Sequence, residues 1–481
     1  MQCSEFVEKV KNNEIDIVEH THKVIEECKK INKDYNYFNV VSEELALVQA
    51  NKLKKLINGK KADNKKLLGV PVSVKDNICV KGVESTAGSR ILKGYKPLFN
   101  ATAVENAINQ GAIVIGKTSQ DEFGFGGFSV NAGLGFKIPK NPFDKERSCG
   151  GSSGGAGGLA QKATFPHIAL GESTGGSIAC PANFCGVFGL TPTYGIVSRY
   201  GLIDYGNSLD KIGTLGKSSN DAGLLQEVIS GYDEKDSTSL NVENERYTEY
   251  LGGSVEGLKV GIIKEAFGKG NEKAVENQVY KGIETLKEKG VKAEEISLEM
   301  PIKYGLATYY MIATSEASTN LAKYCGMRYG AAEKLRGSFN EYFTKVRSKN
   351  FGDEAKRRVI LGTFARMAGH RDAFYIKAAK VRTKIINEYK KAFKQFDALI
   401  SPTVPILPPK FSEIEKLTPL QNYMIDSILV GPNIAGLPHL SVPIGYDQNL
   451  PVGMLLTGDH LQEKKLLQLG NLFETTKFHS S

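Results

Sequence analysis

Two segments dominated by glycine and small hydroxyl residues lie close together in the chain: Gly150-Gly151-Ser152-Ser153-Gly154-Gly155 and Gly171-Glu172-Ser173-Thr174-Gly175-Gly176-Ser177. Glycine loses the most backbone freedom on ordering and weakens the interiors of helices and strands, so such runs are loops and not core elements. The surrounding stretch, 124–215, is rich in Gly, Ser and Pro and poor in long helical patterns. That much irregular backbone points to a site built from loops on a rigid scaffold. The scaffold must therefore come from the flanking sequence.

Upstream, Val70-Pro71-Val72-Ser73-Val74-Lys75 alternates valine with other residues. The period of two predicts a strand, with Ser73 and Lys75 together on the face opposite the valines. Pro71 fits an edge or a strand start. Residues 102–109 read as a helix and 112–115 as a short buried strand. The region 3–58 reads as helices; one begins at Ser42, an N-cap followed by Glu43 and Glu44, and stops at Gly59. Downstream, 258–263 and 291–296 read as strands around a helix at 272–289. Helical patterns cover 305–325 and 371–395, and 398–401, 440–443 and 454–457 are strand-like. This order predicts an α/β fold. One large domain over 65–481 would carry a mixed, twisted sheet covered by helices on both faces, with an N-terminal helical segment, 1–64, packed on it.

Apolar residues make up 41% and charged residues 24%, the balance of a soluble globular protein. No apolar run is long enough for a membrane span. The N-terminal region carries Glu5, Glu8, Glu14, Asp16 and Glu19 and no apolar stretch, which argues against a secretory signal or an organellar transit peptide. The seven cysteines include no CxxC pair, so neither a disulfide framework nor a zinc site is expected. These features predict a cytoplasmic protein. The net charge of +9 is small for the length and reads as a solvated surface.

Two motif matches fail on physical grounds. Gly111-Ala-Ile-Val-Ile-Gly116-Lys117-Thr118 has the spacing of a phosphate loop, but its inner residues are strand formers and a helix precedes Gly111. The registers centred on Ser152 and Ser153 match G-x-S-x-G, but the preceding Asp144-Lys145-Glu146-Arg147-Ser148 is no apolar strand. His370, His439 and His460 have no context that would make one of them a triad base, and they read as structural.

Acyl transfer needs a serine that can lose its proton and a cluster of N–H groups aimed at the developing oxyanion. Thr174, Gly175, Gly176 and Ser177 can supply the amides, because glycine lets successive N–H groups converge. Ser177 closes that nest. With histidine poorly placed, Lys75 is the candidate base, and a solvated lysine at a strand end is the alternative. To act near neutrality it must be desolvated and lose about three pK units from its usual value of about 10.4. Ser152 can relay the proton if amine and nucleophile do not touch, a known variant of triad chemistry.

At these residues the chain resembles the amidase signature family, over about 65–460. Val74-Lys75-Asp76-Asn77 is similar to the family's lysine segment, and the 150–155 and 175–178 stretches to its serine segments. The resemblance implies Lys75 as base, Ser152 as bridging serine at a cis peptide and Ser177 as nucleophile. Longer runs are similar to the glutamine-hydrolysing branch: 116–123, 192–202, 208–210, 236–239, 315–318, 357–363 and 433–438. That branch implies a tyrosine, an arginine and an aspartate around glutamine, here Tyr309, Arg358 and Asp426. Tyr310 and Arg357 are adjacent alternatives. An arginine suits the α-carboxylate and an aspartate the ammonium.

The branch further implies no metal or organic cofactor in this chain. Its partner, the B subunit of the complex, would use ATP and Mg²⁺ on charged tRNA, Glu-tRNA(Gln) or Asp-tRNA(Asn), and a small C subunit would complete the assembly. A stand-alone amidase acting on small amides is the alternative; a further one is a non-catalytic assembly subunit. The chain departs from the family pattern at Ser173, where an aspartate is usual, and at Ala179, where an arginine is usual. The loop near His167 is also one residue longer. These departures read as lineage variation.

Overall fold

Eleven strands form one sheet in the computed structural model, which describes residues 1–474; residues 475–481 of the expected domain lie outside the described residues. In chain order they are β1 (Phe38–Val41), β2 (Pro71–Lys75), β3 (Ile113–Thr118), β4 (Ile168–Ser173), β5 (Phe188–Thr191) and β6 (Lys211–Gly216). Then follow β7 (Lys259–Ile263), β8 (Lys292–Ile296), β9 (Ala398–Pro402), β10 (His439–Asp447) and β11 (Leu450–Gly458). Their order across the sheet is β1-β3-β2-β4-β6-β5-β10-β11-β9-β7-β8. Parallel pairs (β2 with β3 and β4, β7 with β8 and β9) and antiparallel pairs share it, so the sheet is mixed as predicted.

Every residue of β2, β3 and β4 is buried. Such strands lie in the middle of a layered α/β domain and need no polar face. The two faces of the sheet serve different cores. Along β9, Ala398 and Ile400 enter one apolar cluster and Leu399 enters another, as alternation across a strand demands. Among the described residues no helix is long and apolar enough to cross a membrane.

The region read as wholly helical contains β1, which pairs antiparallel with β3. Four residues between two helices are too short for a periodic signal. The side-chain amide of Asn32 occupies the outer edge of β1: Nδ2 donates to the Phe38 carbonyl at 3.2 Å, and Oδ1 accepts from the Phe38 N–H at 2.7 Å. The opposite edge, β8, exposes Lys292, Glu294 and Glu295.

What positions the site is the parallel pairing of β2 and β4, in register Val74 with Leu170. Both strands end at the same border of the sheet, β2 at Lys75 and β4 at Ser173. Crevices outside the carboxyl ends of strands are where α/β sheets bind ligands. The first serine segment runs into the helix Gly154–Lys162, and the second into the helix Ala179–Cys185.

Candidate active site

Lys75 is fully buried at the end of β2. Its Nζ lies 2.7 Å from Ser152 Oγ, 2.8 Å from the Glu172 carbonyl and 2.9 Å from Glu172 Oε2. Burial pulls the amine below the ordinary lysine range, and the Glu172 carboxylate is the main influence opposing it. The sequence reading surrounded this amine with hydroxyls alone. The carboxylate beside it was missed, although Glu172 is the one acid in a wholly buried strand, an unusual place for a carboxylate.

The two serine segments are joined directly, Ser153 N–H donating to the Ser177 carbonyl at 3.1 Å. The peptide between Gly151 and Ser152 is cis. A Cβ on Gly151 would stand 2.2 Å from Asp121 Oδ2, so only glycine fits there. Ser177 is 7% exposed, while Ser152 is sealed from solvent. Among the described residues Lys75 makes no hydrogen bond to Ser177; its only serine partner is Ser152.

The amides expected to face an oxyanion divide into two groups. Among the described residues no carbonyl accepts from the N–H of Gly175 or Gly176. The N–H of Ser177 donates to Ser173 Oγ at 3.0 Å, and that hydroxyl in turn donates to the Gly175 carbonyl at 3.0 Å. Ser173, where the resemblance led us to expect an aspartate, thus braces the turn from within. Thr174 is held by Asn433, whose Nδ2 donates to its carbonyl.

Tyr309 and Tyr310 share the helix Glu299–Asn320 but part company. The Tyr309 ring lies against the turn, where a Cβ on Gly175 would come within 3.0 Å of it. The Tyr310 hydroxyl donates to Asp426 Oδ2 at 3.1 Å. Arg358 is 2% exposed, with its guanidinium 5.1–5.5 Å from the ring centres of Phe125, Tyr205, Tyr310 and Tyr423. Its Nε donates to Glu354 Oε1 at 2.8 Å, and a second nitrogen donates to the Tyr205 hydroxyl. A cavity of about 240 Å³ opens here, its wall including Gly126, Gly127, Asn131, Arg357, Arg358 and Tyr423. Gly127 also touches the surroundings of Asp426, since a Cβ there would lie 3.6 Å from Oδ1. Burial pushes the Asp426 carboxyl up to about 6. Glu354, Tyr205 and Tyr423 carry no motif of their own and were not foreseen.

The phosphate-loop spacing and the histidines carry no site. Lys117 belongs to β3 and is consumed inside the fold, donating to the carbonyls of Asp76 at 3.2 Å and Ile78 at 2.6 Å and to Ser85 Oγ at 2.9 Å. It has no donor left for a phosphate. His439 is buried beside the Leu437 carbonyl, and His460 faces the Ala435 carbonyl.

A buried amine beside a serine hydroxyl, a second serine on a glycine turn and an arginine-lined cavity lie on a fold that the comparisons place among amide hydrolases. The chain belongs to the amidase family, whose model matches residues 19–467, as the motifs predicted. It is 42% identical to the A subunit of glutamyl-tRNA(Gln) amidotransferase from Microcystis aeruginosa over 97% of this chain and 96% of that protein. To the protein of the same name from Halothermothrix orenii it is 45% identical over 85% of each chain. A solved structure of the A subunit of glutamyl-tRNA(Gln) amidotransferase from Thermotoga maritima superposes with a TM-score of 0.76 at 34% identity, covering 94% of this chain and 90% of that one. A bacterial aryl acylamidase of the amidase signature family shares the fold at 23% identity, with a TM-score of 0.85.

Proposed function

We propose that this chain is the glutamine-hydrolysing subunit of a tRNA-dependent amidotransferase, working through Ser177, Ser152 and Lys75. The observation that carries the reading is the 2.7 Å contact between the buried Lys75 amine and Ser152, on a segment tethered to Ser177. Neutral Lys75 takes the Ser152 proton while Ser152 takes that of Ser177. Ser177 Oγ attacks the carboxamide carbon of glutamine, and the amides of residues 174–177 receive the oxyanion. To join them, the Ser177 N–H must turn from Ser173. The proton returns to the leaving nitrogen, ammonia departs, and water hydrolyses the glutamyl ester to glutamate and free serine.

Each step uses groups of this chain and calls on no metal or organic cofactor. The relatives' names extend the proposal to glutamyl-tRNA(Gln) as acceptor and to a multi-subunit enzyme. In this proposal ammonia passes to a partner B subunit, which converts Glu-tRNA(Gln) to Gln-tRNA(Gln) with ATP and Mg²⁺ of its own, and a C subunit completes the assembly. The test is glutamine hydrolysis by the lone chain, repeated with the B and C subunits and charged tRNA. A fluorophosphonate probe should label the wild-type chain and leave Ser177→Ala unlabelled. Equal labelling of both would overturn the nucleophile assignment. Robust turnover of simple amides without preference for glutamine would instead favour a stand-alone amidase.

Arg358 holds the glutamine α-carboxylate in this reading, Asp426 its ammonium, and Tyr309 packs on the turn that presents Ser177. Asp426 is charged above about pH 6 and neutral below it. Only the charged form attracts an ammonium, so KM for glutamine is expected to rise as pH falls through about 6. Asp426→Asn should raise KM at alkaline pH and erase that dependence. A mutant that keeps the wild-type pH dependence of KM would remove Asp426 from substrate binding.

A further inference from the structure

Glu172 does more than touch Lys75. Its Oε2 accepts from Lys75 Nζ at 2.9 Å and from Asn77 Nδ2 at 3.0 Å, while Oε1 lies 2.9 Å from Thr174 Oγ1. The same threonine hydroxyl lies 2.7 Å from Asp210 Oδ1. Four side chains, Lys75, Glu172, Thr174 and Asp210, therefore form one buried string, and all are at most 1% exposed.

A hydroxyl has one proton to donate. Thr174 stands between two carboxyl groups, so both of its short contacts are hydrogen bonds only when one carboxyl carries a proton. Asp210 is the group to carry it: burial, with the Glu172 carboxylate adding to it, pushes Asp210 well above the carboxylate range. Asp210 then donates to Thr174, Thr174 donates to Glu172, and Glu172 is ion-paired with the amine at 2.9 Å.

We infer that Glu172 is a positioning residue of the reaction, holding Lys75 against Ser152 and fixing how readily that amine releases its proton. The inference rests on the reading of Lys75 as the base. The charged and titratable groups around the amine are Glu172 on β4, Asp121 in the loop after β3 and Asp210 just before β6. Glu172 alone among them bonds the amine. An anion at that distance stabilises the ammonium, whereas burial destabilises it. Their balance sets the pH above which Lys75 is a free base. The Thr174–Asp210 arm keeps a second proton within the site and prevents a second negative charge beside the first.

The test is the pH profile of kcat/KM for glutamine hydrolysis by the full-length chain, with the rate of fluorophosphonate labelling of Ser177 as a second readout. Glu172→Gln keeps the shape and an acceptor for Lys75 and removes the charge, its amide N–H reversing the hydrogen bond with Thr174. Its acidic limb is expected to move to lower pH by about 1–3 units, the size of effect of one close opposite charge. Glu172→Asp retains the charge and is expected to keep the limb near its wild-type position. Should Glu172→Gln prove too unstable to purify, Glu172→Ser is read in the same assays for the same downward shift. A limb that stays in place in the neutral variants, whatever their activity, overturns the inference. The underlying reading fails differently: Lys75→Ala would then retain turnover.

Discussion

Lys75→Ala is expected to abolish glutaminase activity, lowering kcat by about 10²–10⁴-fold, the range for loss of a general base. Activity alone would not isolate the cause, because the substitution also strands a carboxylate. The Lys75 and Glu172 side chains are 0% and 1% exposed. Removing one partner of a buried pair typically costs about 3–5 kcal/mol, whereas replacing both is far milder. The single mutant should therefore melt well below wild type. The double mutant Lys75→Ala, Glu172→Gln should recover much of that loss, visible by circular dichroism, and remain inactive. A double mutant that regains turnover along with stability would mean that the lysine serves the fold and not the chemistry.

Arg358→Ala is expected to act on a different quantity. If the guanidinium holds the α-carboxylate of glutamine, losing two charge-assisted hydrogen bonds costs about 3 kcal/mol or more. That corresponds to a rise in KM of roughly 10²-fold. An amide substrate lacking the α-carboxylate should be nearly indifferent to the change. The loss of a cation packed among four rings will also lower stability, so the comparison between the two substrates, made on one preparation, is the informative one. Glu354 is not orphaned by the mutation, since Arg357 and the Tyr423 hydroxyl still bond it. Equal losses on both substrates would reject the binding role.

The sequence revealed the parts of the site that depend on local chemistry. Alternation around Lys75 announced β2, and the two glycine-serine runs announced loops that no core element could contain. Pro71 marked a strand start and not an edge: it opens β2, which lies between β3 and β4. Glu172, Thr174 and Asp210 were present in the quoted motifs, but their convergence depends on β2 pairing with β4 and β4 with β6. Nothing within a strand encodes which distant strand it will meet. Helical neighbours posed a related difficulty. Adjacent residues on a helix point about 100° apart, so periodicity alone cannot decide between Tyr309 and Tyr310, or between Arg357 and Arg358. Only the surrounding packing sends Tyr309 to the glycine turn and Tyr310 to Asp426. Strand lengths were underestimated for β10 and β11, whose antiparallel pairing runs from His439 opposite Thr457 to Asp447 opposite Leu450.

A sheet this wide ends in two rows of backbone groups able to template a foreign strand. At one end a borrowed amide from Asn32 fills the slot that an intruding peptide would use, and at the other a fringe of lysine and glutamate makes docking costly. Growth by strand addition is thereby disfavoured at both ends of the sheet.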